Sequence, residues 1–184
     1  MWKKQFPLNN ALTVSVNVST KQLSQPDFIS QVRNALEKTD LDPRSLKLEI
    51  TESFLMEDTK ITAVLSQLKE MDVQIHIDDF GTGYSSLSYI QQFPVSALKI
   101  DRSFINKLGA EGEDSEIVKA IVNLAHNLNM DVIAEGVEKG EHLSILKALK
   151  CKYVQGYYYS RPVNSREAEI LLSTTGSELA DRWS

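Results

Sequence analysis

The chain has 184 residues, 42% of them hydrophobic, and a formal net charge of -5. That size fits one domain, or at most two small ones, with a sizeable core. The charge gives no electrostatic footprint for duplex DNA or an anionic membrane, and no apolar run approaches the roughly 20 residues that span a bilayer.

The N-terminal stretch MWKKQFPLNNALTV is basic but lacks the apolar segment of a signal peptide. With one cysteine, Cys151, there is no internal disulfide, and this residue reads as a small buried hydrophobe in a reducing compartment. A cytoplasmic chain is expected, with any membrane anchor in other domains of a longer parent.

In chain order, short β-branched runs alternate with longer amphipathic ones. Strands are expected at 12–19, 46–51, 73–79, 97–101, 130–137 and 152–158. Helices are expected at 25–40, 58–72, near SSLSYIQQF (85–93), and at 116–129, 139–150 and 165–173. Residues 1–172 read as one partial domain and 173–184 as a loose tail. Strands alternating with helices predict a parallel sheet. Two architectures compete, an open doubly wound sheet and a (β/α) barrel. A barrel of eight units takes roughly 250 residues, about 31 per unit, so this length holds about six. A barrel would therefore lack two units.

Successive side chains on a strand face opposite ways. Reading each strand by parity leaves a polar residue on one face near the end of each: Asn17, Glu49, Asp78, Lys99, Glu135 and Gln155. Parallel sheets are covered on both faces, so these residues are expected to converge at the carboxyl end of a barrel as a ring. With Asp79, the ring holds four carboxylates and one lysine, and such a charge surplus is a place for cations. Carboxylate and amide oxygens suit Mg²⁺, Mn²⁺ or Ca²⁺. His76, His126 and His142 show no ligand spacing, and His76 reads as a satisfied interior histidine. In DDFGTG (78–83), Asp78 ends the strand and Asp79 opens the loop, so that both carboxylates can face the same ions. A helix N-cap and turn is the plainer reading of that run. A Schiff-base role for Lys99 is a further alternative, disfavoured because nearby carboxylates raise an amine's pKa.

NVS (17–19), LEITES (48–53), DDFGTGYSSL (78–87), LKID (98–101), AEGVE (134–138) and VQGYYYSRP (154–162) occur in this order and resemble the EAL family of cyclic di-GMP phosphodiesterases in bacterial signalling. The resemblance implies an α/β fold, a TIM-like (β/α) barrel of the EAL type, binding Mg²⁺ or Mn²⁺ in a two-metal site and hydrolysing cyclic di-GMP to linear pGpG. It implies metal ligation by Asn17, Glu49, Asp78 and Asp79, and catalytic roles for Lys99, which orients water and phosphate, and Glu135, a general base. Asp101, Glu138 and Gln155 are implied as substrate-side or supporting groups, and Glu52 as the anchor of the loop after Asp79, a loop tied to dimerisation. Tyr157, Tyr158 and Tyr159 read as packing and rim residues rather than base-stacking platforms.

The family's Glu-x-Leu strand, with its metal-binding glutamate and nearby arginine, is absent from residues 1–16. The chain is thus expected to be a fragment; a natural truncation, or strands supplied by a neighbouring chain, are the alternatives. Open sheet edges predict a homo-oligomer or strand exchange, and the missing ligand predicts weak or no turnover by this chain alone. A catalytically inactive cyclic di-GMP receptor or interaction module is the competing function.

Overall fold

A computed structural model describes residues 5–6, 12–52, 60–83, 90–109 and 114–174. Six strands, β1 (Val14–Asn17), β2 (Leu46–Thr51), β3 (Gln74–Phe80), β4 (Ala97–Ile100), β5 (Asp131–Glu135) and β6 (Tyr153–Gln155), pair in parallel in that spatial order. The helices are α1 (Thr20–Leu23), α2 (Phe28–Thr39), α3 (Lys60–Glu70), α4 (Arg102–Ile105), α5 (Asp114–Asn127), α6 (Gly140–Ala148) and α7 (Ser165–Thr174), with a 3-10 turn at Pro43–Ser45. A doubly wound sheet reverses its strand order at a switch point. Here chain order and spatial order coincide, and crossovers of one hand then place the helices on one face. The architecture is an incomplete (β/α) barrel, which settles the two alternatives left by the strand pattern.

The strand parity explains the core. Leu48 and Ile50, Ile75 and Ile77, Leu98 and Ile100, Val132 and Ala134 are all buried. The helices bury matching stripes against that layer: Phe28, Val32 and Leu36 on α2; Leu65 and Leu68 on α3; Val118, Ile121, Val122 and Ala125 on α5; Leu143 and Leu146 on α6. The opposite parity carries the polar residues. The edge strand β1 buries neither face, and Val14 and Val16 are exposed.

Four helices end the same way. Asp40, Asp72, Asn129 and Lys150 adopt positive φ (54°, 61°, 56° and 60°) without being glycine. The next residue then turns its amide back: Leu41 to Leu36, Val73 to Leu68, Met130 to Ala125, and Cys151 to Leu146. This is the 6→1 bond of a Schellman ending, which closes helix carbonyls and drives an apolar residue inward. It places Cys151 in the core, where burial pushes its thiol up to about 11 and makes it inert.

The structure corrects several boundaries. The strand expected at 152–158 stops at Gln155, and those at 12–19 and 130–137 are shorter at both ends. Helices α1 and α4 are one-turn elements without a periodic signal. The helix near 85–93 and the 175–184 part of the tail lie outside the described residues, and α7 runs through Thr174. His76 is interior, 2% exposed, and among the described residues its Nδ1 has no hydrogen-bond partner. Burial and then the charges of Lys47 and Lys99 lower its pKa to about 4.

His142 on α6 is also buried, with neither ring nitrogen hydrogen-bonded among the described residues. Burial, reinforced by Lys139, lowers its pKa below the ordinary histidine value. Its imidazole takes up a proton less readily in the fold than in the unfolded chain. The unfolded state then binds more protons, so stability falls as pH drops below about 6.5. Chemical denaturation at a series of pH values between 7.5 and 5 is expected to show this slope, reduced in His142→Leu.

Candidate metal and phosphodiester site

The site is built around Lys99. It projects from the polar face of the buried central strand β4 and is 3% exposed. Its Nζ lies 2.6 Å from Glu49 Oε2 on β2, 2.9 Å from Asp78 Oδ1 on β3 and 2.8 Å from Glu135 Oε1 on β5. An ammonium has three N–H donors, and three carboxylates take them. Burial alone would lower the lysine pKa, but the hydrogen bonds to Glu135, Glu49 and Asp78 outweigh it and hold the group above its usual range. Three carboxylates that hold the ammonium form work against the free amine that a Schiff base needs.

The two adjacent aspartates share the site through a bulge. Ile77 pairs with Leu98 and Phe80 with Ile100, so Asp78 and Asp79 together face Lys99 alone. The extra residue breaks the alternation inside the strand. Asp79 therefore does not open the loop; β3 continues through Phe80. Asp79 takes φ 53°, a conformation that aspartate tolerates better than most residues. Its amide donates to Asp78 Oδ1 at 3.1 Å, and its carbonyl accepts from Thr82 Oγ1 at 2.8 Å.

Asp78, Asp79 and Glu135 each offer an oxygen, and these atoms lie within 4.8 Å of one another. Burial, Asp78 and Asp101 raise the Asp79 pKa. Glu135 is raised as well, by burial foremost, with Asp78 and Glu49 adding to it against the pull of Lys99. Burial is the larger cause of both shifts; the neighbouring carboxylates add to it, and a cation would relieve that added repulsion. An all-oxygen donor set fits a hard divalent ion.

The other expected residues fall around this cluster to different degrees. Asn17 is the register partner of Glu49, on the exposed edge strand. Gln155 is the register partner of Glu135 and is exposed. Asp101 caps α4, accepting the Ser103 amide at 2.9 Å. Burial opposes ionisation there, but hydrogen bonds from Ser103 and Arg102 win and lower its pKa. Glu138 is exposed beyond the end of β5, and among the described residues no ion pair joins it to the cluster.

Glu52 follows β2 and is 4% exposed. Its Oε2 accepts the Gly81 amide at 2.9 Å and the Gly83 amide at 3.2 Å. A buried carboxylate thus clamps the turn that leaves the Asp78–Asp79 bulge. Glu52→Ala strands two amides, at about 2–3 kcal/mol for charge-assisted bonds. Hydrogen exchange at Gly81 and Gly83 is expected to accelerate at least tenfold, with Glu52→Gln intermediate.

Gly156 was missed as a positioning residue, although it stands in the quoted QGY run. It packs against the backbone of Val137, whose amide donates to Gln155 O at 3.1 Å and whose carbonyl accepts from Tyr158 N at 2.9 Å. This contact fixes the connection that follows Glu135. The sequence signal was a glycine next to a strand end, where a close backbone approach is common.

A family model described as the EAL domain matches residues 1–162. The chain is 46% identical over 162 residues to the Pseudomonas aeruginosa protein named "Bifunctional diguanylate cyclase/cyclic di-GMP phosphodiesterase MucR", covering 88% of this chain and 23% of that protein. It spans about a fifth of the length of the curated relatives it matches. The structure titled "PaMucR Phosphodiesterase, c-di-GMP complex" superposes with a TM-score of 0.84 at 41% identity, over 91% of this chain and 68% of that one. A Klebsiella pneumoniae BlrP1 structure, a manganese and cyclic di-GMP complex, superposes at 0.78 with 28% identity, over 87% and 41%. The chain belongs to the EAL domain family, and its six parallel strands are part of that family's (β/α) barrel.

Proposed function

We propose that the chain carries the phosphodiesterase site of a parent protein that hydrolyses cyclic di-GMP to linear pGpG, with a divalent metal, Mg²⁺ or Mn²⁺, held by Glu49, Asp78 and Asp79 and flanked by Asn17. The observation that carries this reading is the convergence of three carboxylates from three strands on one lysine, with a fourth, Asp79, beside Asp78 and Glu135. Similarity to proteins named for cyclic di-GMP hydrolysis, and to complexes with that nucleotide, supports the substrate.

The bound metal would supply Lewis-acid stabilisation of charge developing on the phosphate. Water attacks phosphorus in line with the departing ribose oxygen, whose P–O bond breaks and which takes a proton from solvent. Glu135, whose raised pKa moves it toward neutral pH, accepts the proton of that water. Lys99 would donate an N–H to the phosphate oxygens, where negative charge develops. Asp101 and Gln155 line the approach, and Glu52 holds the turn after the bulge.

Incubation with cyclic di-GMP and Mg²⁺ or Mn²⁺ is expected to yield pGpG slowly, because the chain lacks the Glu-x-Leu ligand, and Asp78→Asn is expected to abolish the product. Nucleotide binding without product, in the chain and in its parent, would instead establish a receptor.

A further inference from the structure

The strands carry a second polar cluster, at their amino ends. A (β/α) barrel ordinarily fills its interior with layers of bulky branched side chains. Here the positions that share a strand face with the carboxylates are polar well below them: Lys47 with Glu49 on β2, His76 with Asp78 on β3, Asp131 with Glu135 on β5, and Tyr153 with Gln155 on β6. Together with Gln74 and Ser96 these four lower residues line a cavity of about 370 Å³.

The charges around that cavity do not cancel. Lys152 Nζ donates to both carboxylate oxygens of Asp131, at 3.0 and 3.2 Å, which closes that pair. Lys47 is half-buried, and among the described residues no carboxylate lies within ion-pair reach of it. Its ammonium lies 5.7 Å from the centroid of the Tyr153 ring, and Lys152 lies 4.9 Å from the same centroid. Burial lowers the Lys47 pKa against the pull of Asp131 and Glu49, the mark of an ammonium short of counter-charge. The His76 imidazole in the cavity wall is 2% exposed, and its Nδ1 has no hydrogen-bond partner among the described residues. Buried polar groups are normally satisfied. Two ammonium groups, one carboxylate and an unpartnered imidazole leave one positive charge and spare hydrogen-bonding capacity, which suit a ligand bearing negatively charged oxygen.

We propose that this cavity is a binding site for a small oxyanion, a carboxylate or phosphate group held by the Lys47 ammonium, with Gln74, Ser96 and His76 as its polar surroundings. It lies at the opposite end of the strands from the carboxylate cluster and does not depend on the phosphodiesterase reading.

The test is an NMR titration of the full chain with sodium phosphate and, separately, sodium acetate, at neutral pH and at an ionic strength held constant with sodium chloride. EDTA keeps divalent ions away, so that the carboxylate cluster repels both probes. Saturable backbone amide shifts are expected at Lys47, His76, Ser96 and Tyr153, with none at Asp79 or Glu135. Saturation by phosphate alone assigns the site to phosphate groups, and saturation by acetate alone assigns it to carboxylates. Lys47→Met is expected to weaken the affinity about tenfold, the scale of one hydrogen bond to a charged group. Lys47→Arg, which keeps the charge, is expected to retain binding. Lys152→Met, which leaves Asp131 unpaired beside the cavity, is expected to weaken it. Shifts that stay linear with both probes, or an affinity unchanged in Lys47→Met, overturn the site and leave the phosphodiesterase reading untouched.

Discussion

Lys99→Ala is expected to be the most damaging single change in the polar half of the sheet. It leaves Glu49, Asp78 and Glu135, which are 7%, 16% and 19% exposed, without their shared cation. Removing one partner of a buried ion cluster costs about 3–5 kcal/mol, because the orphaned charges stay buried. For a chain of this length, each kcal/mol lowers the melting temperature by about 2–4 °C, so a drop of roughly 6–20 °C is expected. Lys99→Met, which keeps most of the volume, is expected to fall nearly as far, because charge and not packing is lost. Glu49→Gln in the Lys99→Met background is expected to recover part of the loss. Saturating Mn²⁺ is expected to shrink the deficit of Lys99→Met relative to the parent chain. Thermal melts of the four proteins with and without metal check each statement. Turnover of cyclic di-GMP is expected to fall at least a hundredfold in Lys99→Met, the scale of losing one transition-state donor.

Gly156→Ala is expected to be comparably severe for a different reason. A methyl group there would overlap the carbonyl oxygen and amide nitrogen of Val137, both backbone atoms held in hydrogen bonds to Gln155 and Tyr158. No rotamer change relieves a backbone contact, so the β5 connection must shift, at about 3 kcal/mol or more. The same change at Gly140 is a matched control. Its methyl would meet nothing closer than Tyr158 at 3.8 Å, and alanine favours the helix that starts there. Urea denaturation is expected to show a clear loss for Gly156→Ala and a neutral or slightly stabilising effect for Gly140→Ala. Because the displaced segment follows Glu135, the first variant is also expected to weaken metal-dependent stabilisation.

Much of this arrangement is legible in the sequence, because strand parity is a rigid rule. Alternation in LKLEIT and ALKI predicts which residues meet helices and which meet each other, and the structure buries Leu48, Ile50, Leu98 and Ile100 accordingly. The gathering of Glu49, Asp78, Lys99 and Glu135 follows from that parity. What parity does not contain is register. The bulge that turns Asp78 and Asp79 toward one lysine depends on how β3 pairs with β4, a property of two segments some twenty residues apart. Asp101 illustrates the same limit: its place after LKI reads as a strand end, but its side chain caps the helix that begins at Arg102. Helices α1 and α4 are too short for periodicity, and the Schellman endings at Asp40, Asp72 and Lys150 lack the glycine that would announce them. Tyr157 and Tyr158 are neighbours of one residue type, and nothing in their spelling separates the exposed ring from the packed one.

The central claim is that crowded carboxylates on the polar face of the sheet exist to hold a divalent ion. The most direct measurement is the melting temperature of the parent chain and of Asp79→Asn, each with and without Mn²⁺ or Mg²⁺. Without metal, Asp79→Asn is expected to melt higher, because burial and the charges of Asp78 and Asp101 already work against ionised Asp79. With metal at about a hundred times its dissociation constant, the parent chain is expected to gain about 2.7 kcal/mol and the variant much less. No metal-dependent gain in the parent chain, or an equal gain in both, would contradict the account.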